Sequence, residues 1–146
     1  MGKGLALAGR VDNWTKIFNE ELEKPRKFSW GSCDCCQFAF SVVGAITGVK
    51  VGAEPLGHYS GPISAYKWLK KHNYTSIKDW VDNVCAKSGF DAIHPNLAKR
   101  GDLVMTLHKG DQTFGVMADH DAVFLSADDN YINIPRRDLA AAWSVG

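Results

Sequence analysis

Residues 30–48 constrain this chain more than any other segment. An Asp34-Cys35 pair precedes a nearly unbroken apolar run over residues 36–47, which ends at Gly48. A run of this length is long for a strand and is typical of a buried helix, so we predict a helix that begins near Cys35. A cysteine in the first helical turn lies at the positive end of the helix dipole, which stabilises its thiolate. Cys35 is therefore the candidate nucleophile of a cysteine hydrolase.

The composition predicts one globular domain over residues 1–146. The chain has 45% hydrophobic and 23% charged residues, enough apolar content for a single core. Its 17 basic and 16 acidic residues give a net charge of +1, so no charge excess indicates nucleic acid or an anionic membrane as a partner. No apolar segment has the length of a membrane span, and residues 1–10 lack the apolar stretch of a signal peptide. We therefore expect a protein made in a reducing cytoplasm, with its cysteines as thiols.

The first two thirds of the chain carry helical patterns. An amphipathic pattern predicts a helix that Pro25 stops, and Pro62 suits the first position of another helix. Ser76 is a helix-capping residue, and Gly89 suits a helix end. The predicted helices cover residues 11–23, 35–47, 62–72 and 77–88.

The last third carries strand patterns separated by polar turns. We predict strands over residues 101–107, 113–118, 121–127 and 131–134, followed by a short C-terminal helix over residues 136–143 that Pro135 opens. Helices followed by antiparallel strands are typical of an α+β domain. We expect three or four helices packed on an antiparallel sheet of four to six strands.

Several short motifs follow one another in a fixed order. The Asp34-Cys35 pair is followed by Arg-Gly-Asp-Leu-Val at residues 100–104 and by Phe-Gly-Val at residues 114–116. This order resembles the NlpC-like branch of the papain-like cysteine peptidases. The resemblance implies a papain-like NlpC-type fold, in which N-terminal helices pack on an antiparallel sheet, with Cys35 as the nucleophile.

Further motifs narrow the resemblance. The segment before the cysteine reads aromatic-x-Trp-Gly-x-x-Asp-Cys over residues 28–35, and Thr47-Gly48 ends the apolar run. A Tyr-x-x-x-x-x-Ala stretch covers residues 59–65, and Ala142-Trp143 lies near the C-terminus. Together they are similar to small phage-encoded NlpC-like proteins from tail gene clusters. That similarity implies a component of the virion tail, assembled in the host cytoplasm, with other tail proteins of the hub or tip as partners.

The catalytic base of the family has no counterpart at its usual position. In active NlpC-like peptidases a histidine lies two residues before the glycine of the core strand, and that position is Thr113 here. His108, at the end of the first predicted strand, and His120, in a later turn, are the remaining candidates for the base. Ser126 lies near the strand that would carry the third residue.

Two functions therefore compete. The first is a phage tail-tip or tail-assembly component that keeps the NlpC-like fold and acts through protein–protein contacts. The second is an active peptidoglycan endopeptidase, in which Cys35 attacks the amide carbonyl and His108 or His120 transfers the proton. For Cys35 itself, the alternative to a nucleophile is a small buried residue at a tight helix start.

The cysteines also raise the question of a metal site. Cys33, Cys35, Cys36 and Cys85 supply four thiols, which is enough for zinc or an iron–sulfur cluster. Adjacent cysteines on a helix point in different directions, however, so we expect neither a metal nor a cofactor.

Aromatic residues raise the question of an interface. Trp68 falls off the apolar stripe of Ile63, Tyr66 and Leu69, and we expect it to be exposed as an interface anchor.

Overall fold

The computed structural model describes residues 9–31, 34–55 and 57–146, which form an α+β fold. The four α-helices of this described part are α1 (Trp14–Glu23), α2 (Cys35–Thr47), α3 (Pro62–Lys71) and α4 (Ile77–Ser88). The strands are β1 (Ala92–Ile93), β2 (Leu103–His108), β3 (Asp111–Met117), β4 (Asp121–Leu125), β5 (Tyr131–Pro135) and β6 (Leu139–Trp143). They form one antiparallel six-stranded sheet in the order β1-β6-β2-β3-β4-β5. The predicted α+β class is confirmed.

The prediction of a C-terminal helix over residues 136–143 is wrong. Only Arg136–Asp138 forms a helical turn, of the 3₁₀ type, and β6 follows it at once. β6 pairs with β2 through Leu103 and Trp143, which places it inside the sheet. Alanine-rich residues after a proline favour a helix locally, but burial between two strands overrides that weak propensity.

Helix α2 packs directly on the sheet. Phe38, Val42 and Ile46 of α2 are fully buried in the same apolar cluster as Leu103 and Phe114 of the sheet. The residues of α2 are apolar on nearly all sides of the helix, which is typical of a helix at the centre of a core. This packing positions Cys35, the first residue of α2, against β3.

Asp102 joins the two ends of the described chain. Its carboxylate is fully buried and accepts hydrogen bonds from Arg10 Nη2 and from the Val145 N–H, both at 2.9 Å. The Lys99 N–H donates to its second oxygen at 2.9 Å. A buried charge is tolerated when it is paired and fully hydrogen-bonded.

Gly101 explains the other half of the Gly-Asp motif. Its φ is +91°, and a Cβ atom there would lie 2.8 Å from Arg10 Nη1. The motif that resembles a peptidase signature therefore has a structural cause at both of its residues.

None of the described helices is long and apolar enough to cross a membrane.

We predict that Asp102→Ala lowers the free energy of unfolding by about 3 kcal/mol or more, because it leaves the Arg10 guanidinium buried without its counter-ion. Urea denaturation monitored by tryptophan fluorescence measures the change. Asp119→Ala is the control, since Asp119 pairs with Arg100 at 2.6 Å but its side chain is 74% exposed. Removal of that exposed pair should change the stability by no more than about 1 kcal/mol. Equal losses in the two variants would contradict the role of Asp102.

Candidate functional site

Asp34 fixes the start of α2. One carboxylate oxygen accepts the Gln37 N–H at 3.0 Å, which makes Asp34 the N-cap of the helix. The other oxygen accepts the Gly31 N–H at 3.1 Å and the Tyr59 hydroxyl. Asp34 is only 2% exposed, so these contacts replace the water that the carboxylate would otherwise bind.

Tyr59 and Gly31 bring two loops together over this cap. Burial, followed by the nearby charge of Asp34, raises the pKa of the Tyr59 phenol, so the hydroxyl stays protonated and donates to Asp34. Gly31 has a φ of +85°, and a Cβ atom there would lie 2.0 Å from the Tyr59 carbonyl oxygen. The Gly57 N–H also donates to the Gly31 carbonyl at 3.0 Å. The approach of the two loops therefore requires glycine at position 31.

Cys35 is the first residue of α2 and is half-buried. A hydrogen bond from the Cys36 thiol lowers the pKa of Cys35, against the effect of burial, and the Phe114 N–H contributes in the same direction. The neighbouring charge of Asp34 opposes this shift. Cys36 is buried, and its role as donor to Cys35 raises the pKa of its own thiol well above the ordinary value. Of the two thiols, Cys35 is therefore the one that ionises more readily, which makes it the better nucleophile of the pair.

The position that the resemblance assigns to the histidine is Thr113, next to Phe114 in the chain. Phe114, whose backbone helps to lower the pKa of Cys35, lies on β3 directly after Thr113. A threonine hydroxyl at this position is no general base at neutral pH, because it does not bind a proton there.

The two histidines predicted as bases lie at opposite ends of β3. His108 pairs across the β2–β3 turn with Asp111, three residues before Phe114, and His120 follows the far end of β3. At about 3.3 Å per residue, each lies about 10 Å or more along the sheet from Phe114. Both are exposed, and the structure brings neither of them to Cys35.

The other three histidines make their contacts elsewhere. His72 stacks on Trp68 with 4.3 Å between ring centroids and lies 3.8 Å from Glu54. His94 Nδ1 accepts the Asn96 N–H at 3.0 Å. His58 lies exposed in the loop before α3.

The remaining candidate residues do not join Cys35 either. Ser126 bonds to Asp128 and to the Asn130 carbonyl in the turn before β5. Cys85 is buried in the core, and burial raises the pKa of its thiol to about 12. Cys33 lies outside the described residues. Within residues 9–31, 34–55 and 57–146, no three His, Cys, Asp or Glu side chains are grouped as metal ligands would be.

The orientation of α3 corrects one expectation. Trp68 is only 9% exposed and meets Trp80 edge-on with 5.9 Å between ring centroids, so its predicted exposure is wrong. Ile63 and Tyr66 face outward instead, with 74% and 64% of their surface exposed. Trp68 therefore lies in the core. Of the three residues that spacing placed on one apolar stripe, only Leu69 is buried.

Two residues of the site gave little signal in the sequence. Tyr59 begins the Tyr-x-x-x-x-x-Ala stretch noted in the sequence. Its contact with Asp34, however, forms only because two loops approach each other, and residue spacing does not predict that approach. Cys36 looks like one more apolar residue of the helix, and only the structure identifies it as the donor to Cys35.

We predict that Cys36→Ala raises the pKa of Cys35, because it removes the strongest hydrogen bond to the thiolate. Cys36→Ser keeps a donor at that position and should retain most of the lowered pKa. The measurement is the pH dependence of Cys35 alkylation by iodoacetamide, followed by mass spectrometry in a Cys33→Ser background. Since the pKa of Cys35 is lowered, wild-type alkylation at neutral pH should exceed that of the Ala variant. Equal pH profiles for the Ala and Ser variants would contradict the role of Cys36.

We also predict that Gly31→Ala is more destabilising than Gly110→Ala. Both glycines have a φ of +85°, but a Cβ at Gly110 has no atom within 4 Å, whereas one at Gly31 would overlap the Tyr59 carbonyl. Gly110→Ala should therefore cost only the backbone strain, about 1–2 kcal/mol, and Gly31→Ala substantially more. Thermal unfolding of the two variants measures the difference, and equal losses would count against the loop contact.

The comparisons with known proteins identify a family but no function. The model of a family described as a domain of unknown function (DUF6950) matches residues 9–145. No curated protein and no solved structure matches the chain. Because the match spans nearly all of the sequence, the chain belongs to the DUF6950 family.

Proposed function

We propose that this chain is a phage tail-tip or tail-assembly component with a degenerate NlpC-like peptidase fold. It is assembled in the host cytoplasm, resides in the virion tail and acts mainly through contacts with other tail proteins. The architecture supports the papain-like part of the proposal. A buried helix that begins with an Asp-Cys pair lies beside a Phe-Gly-Val strand, as the resemblance implies.

The surroundings of Cys35 are the observation that best supports a degenerate site. Cys36 and the Phe114 backbone lower the pKa of Cys35, and Thr113 occupies the position of the family's histidine. In the described part of the chain no imidazole contacts the Cys35 sulfur. The surroundings of Cys35 therefore favour ionisation of its thiol but supply no group that would accept and later return the proton.

The missing proton donor bears directly on peptide cleavage. When a thiolate attacks an amide, the departing amine must receive a proton, which the histidine supplies in cysteine peptidases. Cys35 is flanked instead by a buried thiol and a backbone N–H. An attack on a peptide bond at this site would tend to reverse and return the substrate.

The alternative function, a peptidoglycan endopeptidase, is favoured by the lowered pKa of Cys35. Backbone N–H groups at the start of α2 would hold the oxyanion, although the Gln37 N–H is already bound by Asp34. His108 or His120 would have to move along the sheet by about 10 Å, about three strand residues, to act as the base.

The test compares cell-wall cleavage with virion assembly. Purified chain and its Cys35→Ala variant are incubated with peptidoglycan, and released stem peptides are measured by mass spectrometry. The phage that encodes the chain is then complemented with either form. We predict no Cys35-dependent peptide release, presence of both forms in purified virions at similar levels, and equal infectivity. Cys35-dependent peptide release would overturn the proposal in favour of the hydrolase. Absence of the wild-type chain from virions would refute the tail assignment.

A further inference from the structure

The outward face of α3 is apolar at a place where no described element covers it. Ile63 and Tyr66 are three residues apart, so they adjoin on one helix face, and they are 74% and 64% exposed. Single exposed hydrophobic residues are ordinary, but two large ones side by side on a ten-residue helix are the pattern of a docking surface. Trp68 and Leu69 turn the opposite face into the core, so the helix is fixed in this orientation.

The same helix is strongly basic. Lys67, Lys70 and Lys71 are all exposed, α3 contains no acidic residue, and none of the three forms an ion pair within the described residues. Lysines in the last turn favour the helix dipole, which accounts for Lys70 and Lys71. The dipole does not account for the exposed Ile63 and Tyr66 beside them.

The charges select the kind of occupant. If two copies of the chain paired through this face, the lysines of one α3 would lie near those of the other, and like charges would oppose the contact. An anionic membrane surface would attract the lysines, but interfacial helices bury a broader apolar face than two side chains provide. A protein surface that offers carboxylates around an apolar pocket matches both features.

We infer that the outward face of α3 docks an acidic surface of another tail protein. Ile63 and Tyr66 fill an apolar pocket on that partner, and Lys67 and Lys70 pair with carboxylates at its rim. The inference rests on the proposed function for the identity of the partner as a tail protein. Interfaces commonly place an aromatic anchor in a central pocket and polar or charged contacts at the rim.

Zero-length cross-linking tests this surface directly. A carbodiimide joins lysine amines to carboxylates in contact, so it is applied to purified virions and to infected cells, and linked peptides are sequenced by mass spectrometry. We expect Lys67 or Lys70 linked to an Asp or Glu of a second tail protein. A Lys67→Glu/Lys70→Glu variant should reduce the chain in virions by about tenfold or more. Lysine in place of the linked carboxylates on the partner should restore it.

Matched variants separate docking from folding and from charge alone. Lys16→Glu/Lys87→Glu makes the same change in net charge at exposed positions of α1 and α4 and should leave incorporation normal. Tyr66→Ser should reduce incorporation, whereas Leu97→Ser, at another side chain that is 70% exposed, should not. All variants should unfold within a few degrees of the wild-type temperature, and both charge reversals include one last-turn lysine, so any loss of helix-dipole stabilisation is matched between them.

The outcomes distinguish the two proposals. Normal incorporation of Lys67→Glu/Lys70→Glu, or cross-links at other lysines only, would overturn the α3 inference and leave the tail assignment standing. Cross-links from Lys67 or Lys70 to a protein that is not part of the tail would keep the acidic docking surface and refute the tail assignment. Binding to phosphatidylglycerol vesicles that the same charge reversal abolishes would overturn the inference in favour of a membrane contact.

Discussion

The buried carboxylate of Asp34 is the interaction on which the candidate site depends. It caps α2 through the Gln37 N–H, holds the entry loop through the Gly31 N–H and accepts the Tyr59 hydroxyl from the loop before α3. Removal of the carboxylate would leave these donors without a partner in a place that water does not reach. One side chain thus sets the position of the helix start, the two loops above it and the first residue of the helix, Cys35.

The chemistry of Cys35 follows from this arrangement and from its neighbour. Cys36 and the Phe114 backbone lower the pKa of Cys35, whereas burial and the charge of the capping Asp34 oppose this shift. In a peptidase the imidazole both stabilises the thiolate and returns the proton to the leaving amine. Here the first role is filled by other groups, whereas the described residues provide no group for the second. The lowered pKa of Cys35 therefore does not depend on an imidazole among the described residues.

The sequence predicted much of the fold because the decisive signals were local. The length of the apolar run identified α2, and glycine after each run marked the ends of α2 and α4, where Gly48 and Gly89 adopt the left-handed conformation. The same local reasoning failed for β6, because its pairing with β1 and β2 is set by residues far away in the chain. It also failed for Trp68, whose burial depends on contact with Trp80 of another helix. In the site, Cys35 was identifiable from its place at a helix start, whereas the contribution of Tyr59 required two loops to be brought together.

The most direct test of the central claim is the number of ionisations that control Cys35 reactivity. The alkylation rate of Cys35 is measured from pH 4 to pH 10 in a Cys33→Ser background, with and without His108→Ala and His120→Ala. A thiolate–imidazolium pair gives two inflections, one for each member of the pair. We predict a single inflection, below the pKa of an ordinary thiol, that neither histidine substitution changes. Two inflections, one of which disappears with His108→Ala or His120→Ala, would show that an imidazole serves Cys35 and would contradict the proposed loss of the catalytic base.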